Sequence, residues 1–237
     1  MKKDNYSNIK SVLRDYLHSA DVVGVYLFGS VAQKTADRYS DTDIYIITKH
    51  KPRHSRKNIQ TKFGQFDILI DSIDDIKSYI HEEKFGVHRS VSHMIAKSKI
   101  LTDKTGQLKM IQKLAVQNLK LRTKLSKSEL LMHQYSIDDF WSDIQRDIAR
   151  EDVIAFTLDS GLLIRNLLDF WLKLHGEFHR QPKEMTLVLR KMNPKFERLL
   201  IKFCSAHSMS AKGKYIPQMI DIVYAKAGGG LPDVWSI

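Results

Sequence analysis

The apolar pattern of this chain changes period once, near Gly106, and that change bounds what the chain can fold into. Before it, short runs rich in β-branched and aromatic residues alternate with turn formers and short helical stretches. Val22–Leu27 reads as a buried strand, Asp43–Thr48 as a second and Gln65–Ile70 as a third; Ile100-Leu-Thr-Asp reads as a short edge strand running into a turn. Residues 5–19 read as an amphipathic helix with Ile9, Val12, Leu13, Tyr16 and Leu17 on one face, and Ile73–Glu83 as a further helix. Val31–Tyr39 reads as a short helix or loop, and Lys49–Lys57 as a basic loop. From Leu108 onward the pattern is almost purely helical, with helices predicted at 107–122, 127–134, 137–149, 152–175, 183–190 and 194–206, and a loose tail at Gly228-Gly-Gly-Leu-Pro. The expected class is α+β, with a sheet-bearing domain over residues 1–107 and a helical domain over residues 108–237.

Hydrophobic residues make up 43% of the 237, enough for a substantial core. Cys204 is the only cysteine, which excludes an internal disulfide and a cysteine-based metal site and fits a reducing, cytoplasmic setting. No apolar stretch follows the charges of the first residues, so no secretory leader is expected. The apolar runs near Val22–Phe28 and Leu162–Leu174 are too short or too interrupted to cross a bilayer, so no membrane partner is expected. A formal charge of +11 favours polyanionic partners such as nucleotides or RNA, or marks a lysine-rich surface that keeps the chain soluble. The charge is uneven: Lys49–Lys62 and Lys109–Lys127 are basic, whereas Asp138–Asp159 holds seven acidic residues against two arginines.

The chemistry sits in the first half. The Val22–Leu27 strand is broken at once by Phe28-Gly29-Ser30. Glycine there lets the backbone approach a ligand or take positive φ, and Ser30 offers a hydroxyl and an N–H to a phosphate. Asp41 and Asp43 open the next strand, and residues two apart on a strand share a face. Such a pair of hard oxygen donors holds one or two divalent cations, magnesium or manganese by preference. Asp67, between Phe66 and Ile68, puts a charge inside an apolar strand, which is costly unless it is paired or binds metal. Singly, each aspartate reads more readily as a turn cap or an ion-pair partner. Together, beside a phosphate-binding turn, the three suit metal-assisted phosphoryl transfer.

Leu27-Phe28-Gly29-Ser30, Ser40-Asp41-Thr42-Asp43-Ile44 and Phe66-Asp67-Ile68 resemble the polymerase-β-like nucleotidyltransferase superfamily, and within it the small bacterial aminoglycoside nucleotidyltransferases of the kanamycin type. Ile100-Leu-Thr-Asp-Lys-Thr-Gly resembles the end of that domain. The resemblance covers about residues 8–110 and implies a mixed sheet with helices followed by a helical bundle. It implies that Gly29 and Ser30 contact the triphosphate of ATP or another NTP, that Asp41 and Asp43 bind Mg2+ (two ions are possible), and that Asp67 is the third ligand or the general base. It also implies Ser40, just before the pair, as a further phosphate contact. Relatives carry an Arg-Gly pair where this chain has Gln33-Lys34, so Lys34 is the candidate for the positive charge. A homodimer is one arrangement the resemblance implies.

In the second half, Asp139, Asp143, Asp147 and Glu151 recur every four residues and form one acidic stripe on a helix, offset in part by Arg146 and Arg150. It is either a solvated face or a site for a polycationic acceptor, with Asp147 as the candidate base on the acceptor hydroxyl. His175 and His179 have zinc-like spacing but no third ligand in view, and read as surface histidines. Leu158–Leu174 reads as bundle core, and Gly228–Gly230, with no Lys-Ser/Thr after it, is not a phosphate loop. The leading expectation is transfer of a nucleoside monophosphate to a hydroxyl of a small molecule, with an aminoglycoside-type antibiotic as first choice. The alternatives are a toxin–antitoxin nucleotidyltransferase that modifies a protein or RNA partner, an RNA-directed enzyme and a non-catalytic nucleotide-binding regulator.

Overall fold

A computed structural model describes residues 3–50 and 54–236. The elements run α1 (Lys3–Val12), α2 (Arg14–His18), β1 (Val22–Phe28), α3 (Gly29–Gln33), β2 (Thr42–Thr48), β3 (Ser55–Thr61), β4 (Gly64–Ser72), α4 (Ile73–Glu82), α5 (Ser90–Ala96), β5 (Lys99–Asp103), α6 (Gln107–Asn118), α7 (Lys127–Arg150), α8 (Val153–His175), α9 (Pro182–Met192), α10 (Pro194–Ser205), α11 (Met209–Gly213) and α12 (Ile216–Ala227). They pack as two compact units, Met1–Lys84 with Arg89–Leu121, and Phe85–His88 with Arg122–Ile237.

The first unit is built on a five-stranded sheet in the order β3-β4-β2-β1-β5. β1 is antiparallel to β2 and β5, β3 is antiparallel to β4, and β2 and β4 run parallel, so the sheet is mixed. The central strands are apolar on both faces because both faces are covered. Val25, Leu27, Ile44, Ile46, Phe66 and Ile68 pack with Ile9 and Leu13 of the N-terminal segment. Tyr26, Tyr45 and Ile47 pack on the other face against Ile76 and Ile80 of α4, Ile95 of α5, and Leu108 and Ile111 of α6. Two buried polar bonds tie this second face together: Tyr26 donates to the Leu108 carbonyl at 2.6 Å, and Tyr45 donates to Asp71 at 2.8 Å.

Several elements differ from the sequence expectation. The helix expected over residues 5–19 is divided at Leu13, whose backbone leaves the helical region. A strand, β3, occupies the second part of the expected basic loop; residues 51–53 of that loop lie outside the described residues. β3 is a sheet edge with mostly exposed side chains, so it needs no apolar run. The packing boundary falls at Leu121–Arg122, because the buried side of α6 joins the sheet core.

The second unit is helical. α7 is a single helix where two were expected; it starts from a capping box in which Ser126 and Glu129 exchange bonds, and it ends at Glu151 in the left-handed conformation. Its core joins Ile137 and Ile144 of α7 to Phe156, Leu163, Phe170 and Trp171 of α8 and to residues of α9, α10 and α12. The expected core stretch of α8 holds for Phe170 and Trp171, but Leu158 and Leu162 are exposed beside Val153 and Ile154. The glycine tail is anchored: Gly228 caps α12, and Gln134 donates to the carbonyls of Gly229 and Gly230 at 2.8 and 3.1 Å. Among the described residues, no helix is long and apolar enough to cross a membrane.

Candidate active site

The register of the parallel pair places Asp43 of β2 directly beside Asp67 of β4. The neighbouring Ile44, Phe66 and Ile68 point into the core on the opposite face, so strand alternation turns both carboxylates to the face that carries Tyr45 and Leu69. Asp41, two residues before Asp43, joins them. One carboxylate oxygen from each of Asp41, Asp43 and Asp67 lies within 4.8 Å of the other two.

Gly29 closes the site from the side of β1. It has φ +67°, and a Cβ built on it would collide with the Asp43 carboxylate. Glycine is therefore needed here for two reasons, the left-handed backbone and the space that Asp43 occupies. Phe28, the last residue of β1, pairs in register with Asp43, so the end of one strand and the start of the next deliver glycine and carboxylate together.

The cluster is electrostatically strained. Burial, then the charges of Asp41 and Asp67, raise the Asp43 carboxyl to about 6, against the opposing pull of Arg56. Asp67 is buried, at 5% exposure, and its charge is met by Arg56. The guanidinium of Arg56 donates Nε–H to Oδ1 at 2.8 Å and an Nη2 hydrogen to Oδ2 at 2.5 Å, a bidentate pair. Arg56 stands opposite Leu69 in the β3–β4 register and reaches diagonally to Asp67.

Magnesium binds oxygen ligands at about 2.0–2.1 Å in near-octahedral geometry, which sets adjacent ligand oxygens about 3 Å apart. Three carboxylates already crowded together, with one proton favoured by their repulsion, fit such an ion with small side-chain adjustments. Asp41, Asp43 and Asp67 are the residues that would hold it.

The other expected site residues surround this cluster to different degrees. Ser30 follows Gly29 in α3 and is half-buried. Lys34 is exposed and caps α3 in the left-handed conformation. Ser40 has its hydroxyl tied up locally: it accepts from the Asp37 N–H at 2.9 Å and donates to Asp37 Oδ1 at 3.0 Å. The Tyr39 N–H, then Ser40, hold the Asp37 carboxyl below the usual range, and this turn leads the chain into Asp41.

Asp147 lies in the second unit, buried in α7 at 7% exposure with Oδ2 lacking a hydrogen-bond partner. Asp159 of α8 sits against it. Burial, then the charge of Asp147 and a hydrogen bond with it, push the Asp159 carboxyl up. Asp139 is exposed, Asp143 pairs with Arg146, and Glu151 stands outside the helix as its C-cap, so the stripe is shorter than expected. His175 turns its ring onto Trp171, with centroids 4.1 Å apart, whereas His179 reaches Asp169 at 2.5 Å. α8 ends at His175, so the two histidines do not share a helix face.

Sequence reasoning missed Arg56, Asp159 and Asp169. Arg56 was hidden in a polar edge strand. Asp159 and Asp169 find their partners only through tertiary packing.

Residues 7–107 match the family described as polymerase beta, nucleotidyltransferase. No curated protein matches the chain. Among solved structures, the chain is similar to a nucleotidyltransferase-like protein from Exiguobacterium sibiricum 255-15, with 8% identity, a TM-score of 0.54, and coverage of 94% of this chain and 77% of that one. An aminoglycoside 6-adenyltransferase from Bacillus subtilis aligns at 11% identity with a TM-score of 0.39, covering 96% of this chain and 93% of that one. The first likeness is one of fold, and the second is too distant to bear on function. The matched residues 7–107 contain Gly29 and all three sheet carboxylates.

Proposed function

We propose that the chain is a magnesium-dependent enzyme that moves a nucleoside monophosphate from ATP or another NTP to a hydroxyl of a cationic small molecule, with aminoglycoside-type antibiotics as the acceptor class. The observation that carries this reading is the convergence of Asp41, Asp43 and Asp67 beside Gly29. In the reaction the acceptor oxygen bonds to the α-phosphorus, the bond from that phosphorus to the pyrophosphate oxygen breaks, and pyrophosphate leaves. The hydroxyl proton passes to a carboxylate. Magnesium, when bound, neutralises the triphosphate and activates the attacking oxygen.

The chain's own residues do the positioning. The backbone of Gly29 and the hydroxyl and N–H of Ser30 bind phosphate oxygens, and Lys34 and Ser40 flank them. Arg56, with its side chain more than half exposed, can meet a phosphate oxygen as well as Asp67. Asp67, the third ligand or base of the sheet site, already accepts two bonds from Arg56. On the helical unit taken by itself, Asp139 and Asp159 offer negative charge for the amines of a cationic acceptor, with the buried Asp147 against Asp159.

The test is to incubate the purified protein with magnesium, each NTP and a panel of aminoglycosides and other hydroxylated antibiotics, reading product mass. A nucleotidylated antibiotic that is absent with Asp147→Asn or Asp159→Asn, while NTP binding persists, supports the acceptor assignment. Label found on RNA or on an added protein, and on no antibiotic, would replace it with the RNA-directed or toxin–antitoxin alternative.

A further inference from the structure

Outside the sheet site, a second group of ligand-type side chains converges within the helical unit. Asp169 lies on α8, His179 in the loop after it, and His88 in the segment Phe85–His88, which packs with this unit although it lies in sequence between two parts of the other. The three ligand atoms lie within 4.8 Å of one another. His179 Nε2 meets Asp169 Oδ1 at 2.5 Å, and His88 Nε2 meets Asp169 Oδ2 at 3.4 Å. The two imidazoles stack almost parallel, with centroids 4.7 Å apart and planes 3° apart.

From this geometry we propose that His88, Asp169 and His179 form a binding site for one divalent transition ion of the zinc class. Two imidazole nitrogens and one carboxylate are the donor set that such an ion takes in preference to magnesium. A hydrogen bond from His179 alone would satisfy one carboxylate oxygen. The second imidazole adds little in that role, because 3.4 Å exceeds the ordinary N–H···O range of about 2.7–3.2 Å. Its nitrogen instead stands where an ion bridging the group would hold it. Ligand bonds of about 2.0–2.1 Å in tetrahedral geometry set donor atoms about 3.3 Å apart, so His88 already stands at that spacing from Asp169, whereas His179 and Asp169 must give up their 2.5 Å hydrogen bond and move apart by under about 1 Å to admit the ion. His88, with its side chain 52% exposed, leaves a fourth position open to water or a ligand.

The backbone is already prepared. His179 N–H donates to the Val87 carbonyl at 2.9 Å, Lys124 N–H to the Phe85 carbonyl at 3.1 Å, and Thr123 N–H to the Gly176 carbonyl at 3.1 Å. The nearby cations have partners of their own: Lys173 pairs with Glu129 at 2.8 Å and Arg180 with Glu177 at 3.2 Å. Neither competes for Asp169. A bound ion would clip the Phe85–His88 segment to α8 and stabilise the helical unit, independently of the chemistry at the sheet.

The test is calorimetric titration of the full chain with zinc alone, in an Asp43→Asn background that weakens metal binding at the sheet carboxylates. One equivalent of zinc should bind and raise the thermal midpoint. His88→Ala and His179→Ala should each weaken binding at least tenfold and abolish the thermal shift. If His179→Ala fails to fold, His88→Ala decides, since the His88 side chain is half exposed. Absence of binding in the Asp43→Asn parent, or unchanged affinity in His88→Ala, would overturn the assignment.

Discussion

The carboxylate of Asp43 occupies the space that a side chain at Gly29 would need. Gly29→Ala should therefore disturb the cluster at its centre. The added methyl must displace Asp43, and the backbone at φ +67° adds strain of about 1 kcal/mol. Displacing a catalytic group by about 1 Å costs on the order of 100-fold in rate, so steady-state kcat should fall by at least about that factor while the fold is kept. A kinetic comparison with circular dichroism checks both parts.

Asp43→Asn should stabilise the protein when no divalent ion is present. The folded carboxyl titrates at about 6, above its ordinary value in an unfolded chain. Between those two values the native state binds the extra proton. The favourable contribution is thus present at low pH and is lost as pH rises through about 6. With discounting for solvent screening, the crowding at pH 7.5 costs on the order of 1 kcal/mol. The variant should melt roughly 2–4 °C above wild type at pH 7.5 and show no gain at pH 4. Magnesium should protect wild type and not the variant.

Magnesium affinity should depend on pH in the matching sense. The Asp43 carboxyl must give up its proton to bind the ion, so affinity should be about tenfold weaker at pH 5 than at pH 7, levelling off above pH 7. Titrations in magnesium across this range, with Asp43→Asn as a flat reference, check the linkage.

Arg56→Ala should leave the buried Asp67 charge unpaired. The guanidinium is more than half exposed, so the loss should be about 1–3 kcal/mol, smaller than for a fully buried pair. Magnesium should stabilise Arg56→Ala more than wild type, because the ion supplies the missing positive charge. Arg56→Lys should recover only part of the loss, since an ammonium cannot make the bidentate pair. Thermal melts with and without magnesium measure each quantity.

The apolar strands and their carboxylates were legible because burial on both faces demands continuous Val, Ile and Leu, against which Asp43 and Asp67 stand out. The side-by-side register of those two residues was not legible, since pairing is set by how β3 and the loops position the strands. β3 itself escaped notice because an edge strand needs no apolar alternation, and Arg56 went with it. α6 carries the helical period of the second half, yet Leu108, Ile111 and Ala115 bury against the sheet. In the helical unit, the spacing of His175 and His179 pointed to a shared face, but the end of α8 falls between them. The actual partner, His88, is separated from Asp169 by 81 residues, beyond the reach of any local pattern.

The most direct test of the sheet site compares ATP labelled at the α-phosphate with ATP labelled at the γ-phosphate, in magnesium, with wild type and Asp43→Asn side by side. Nucleotidyl transfer at Asp41, Asp43 and Asp67 requires the α-label on the acceptor, the γ-label in pyrophosphate, and neither with Asp43→Asn. The γ-label on the acceptor, or transfer undiminished in Asp43→Asn, would contradict it.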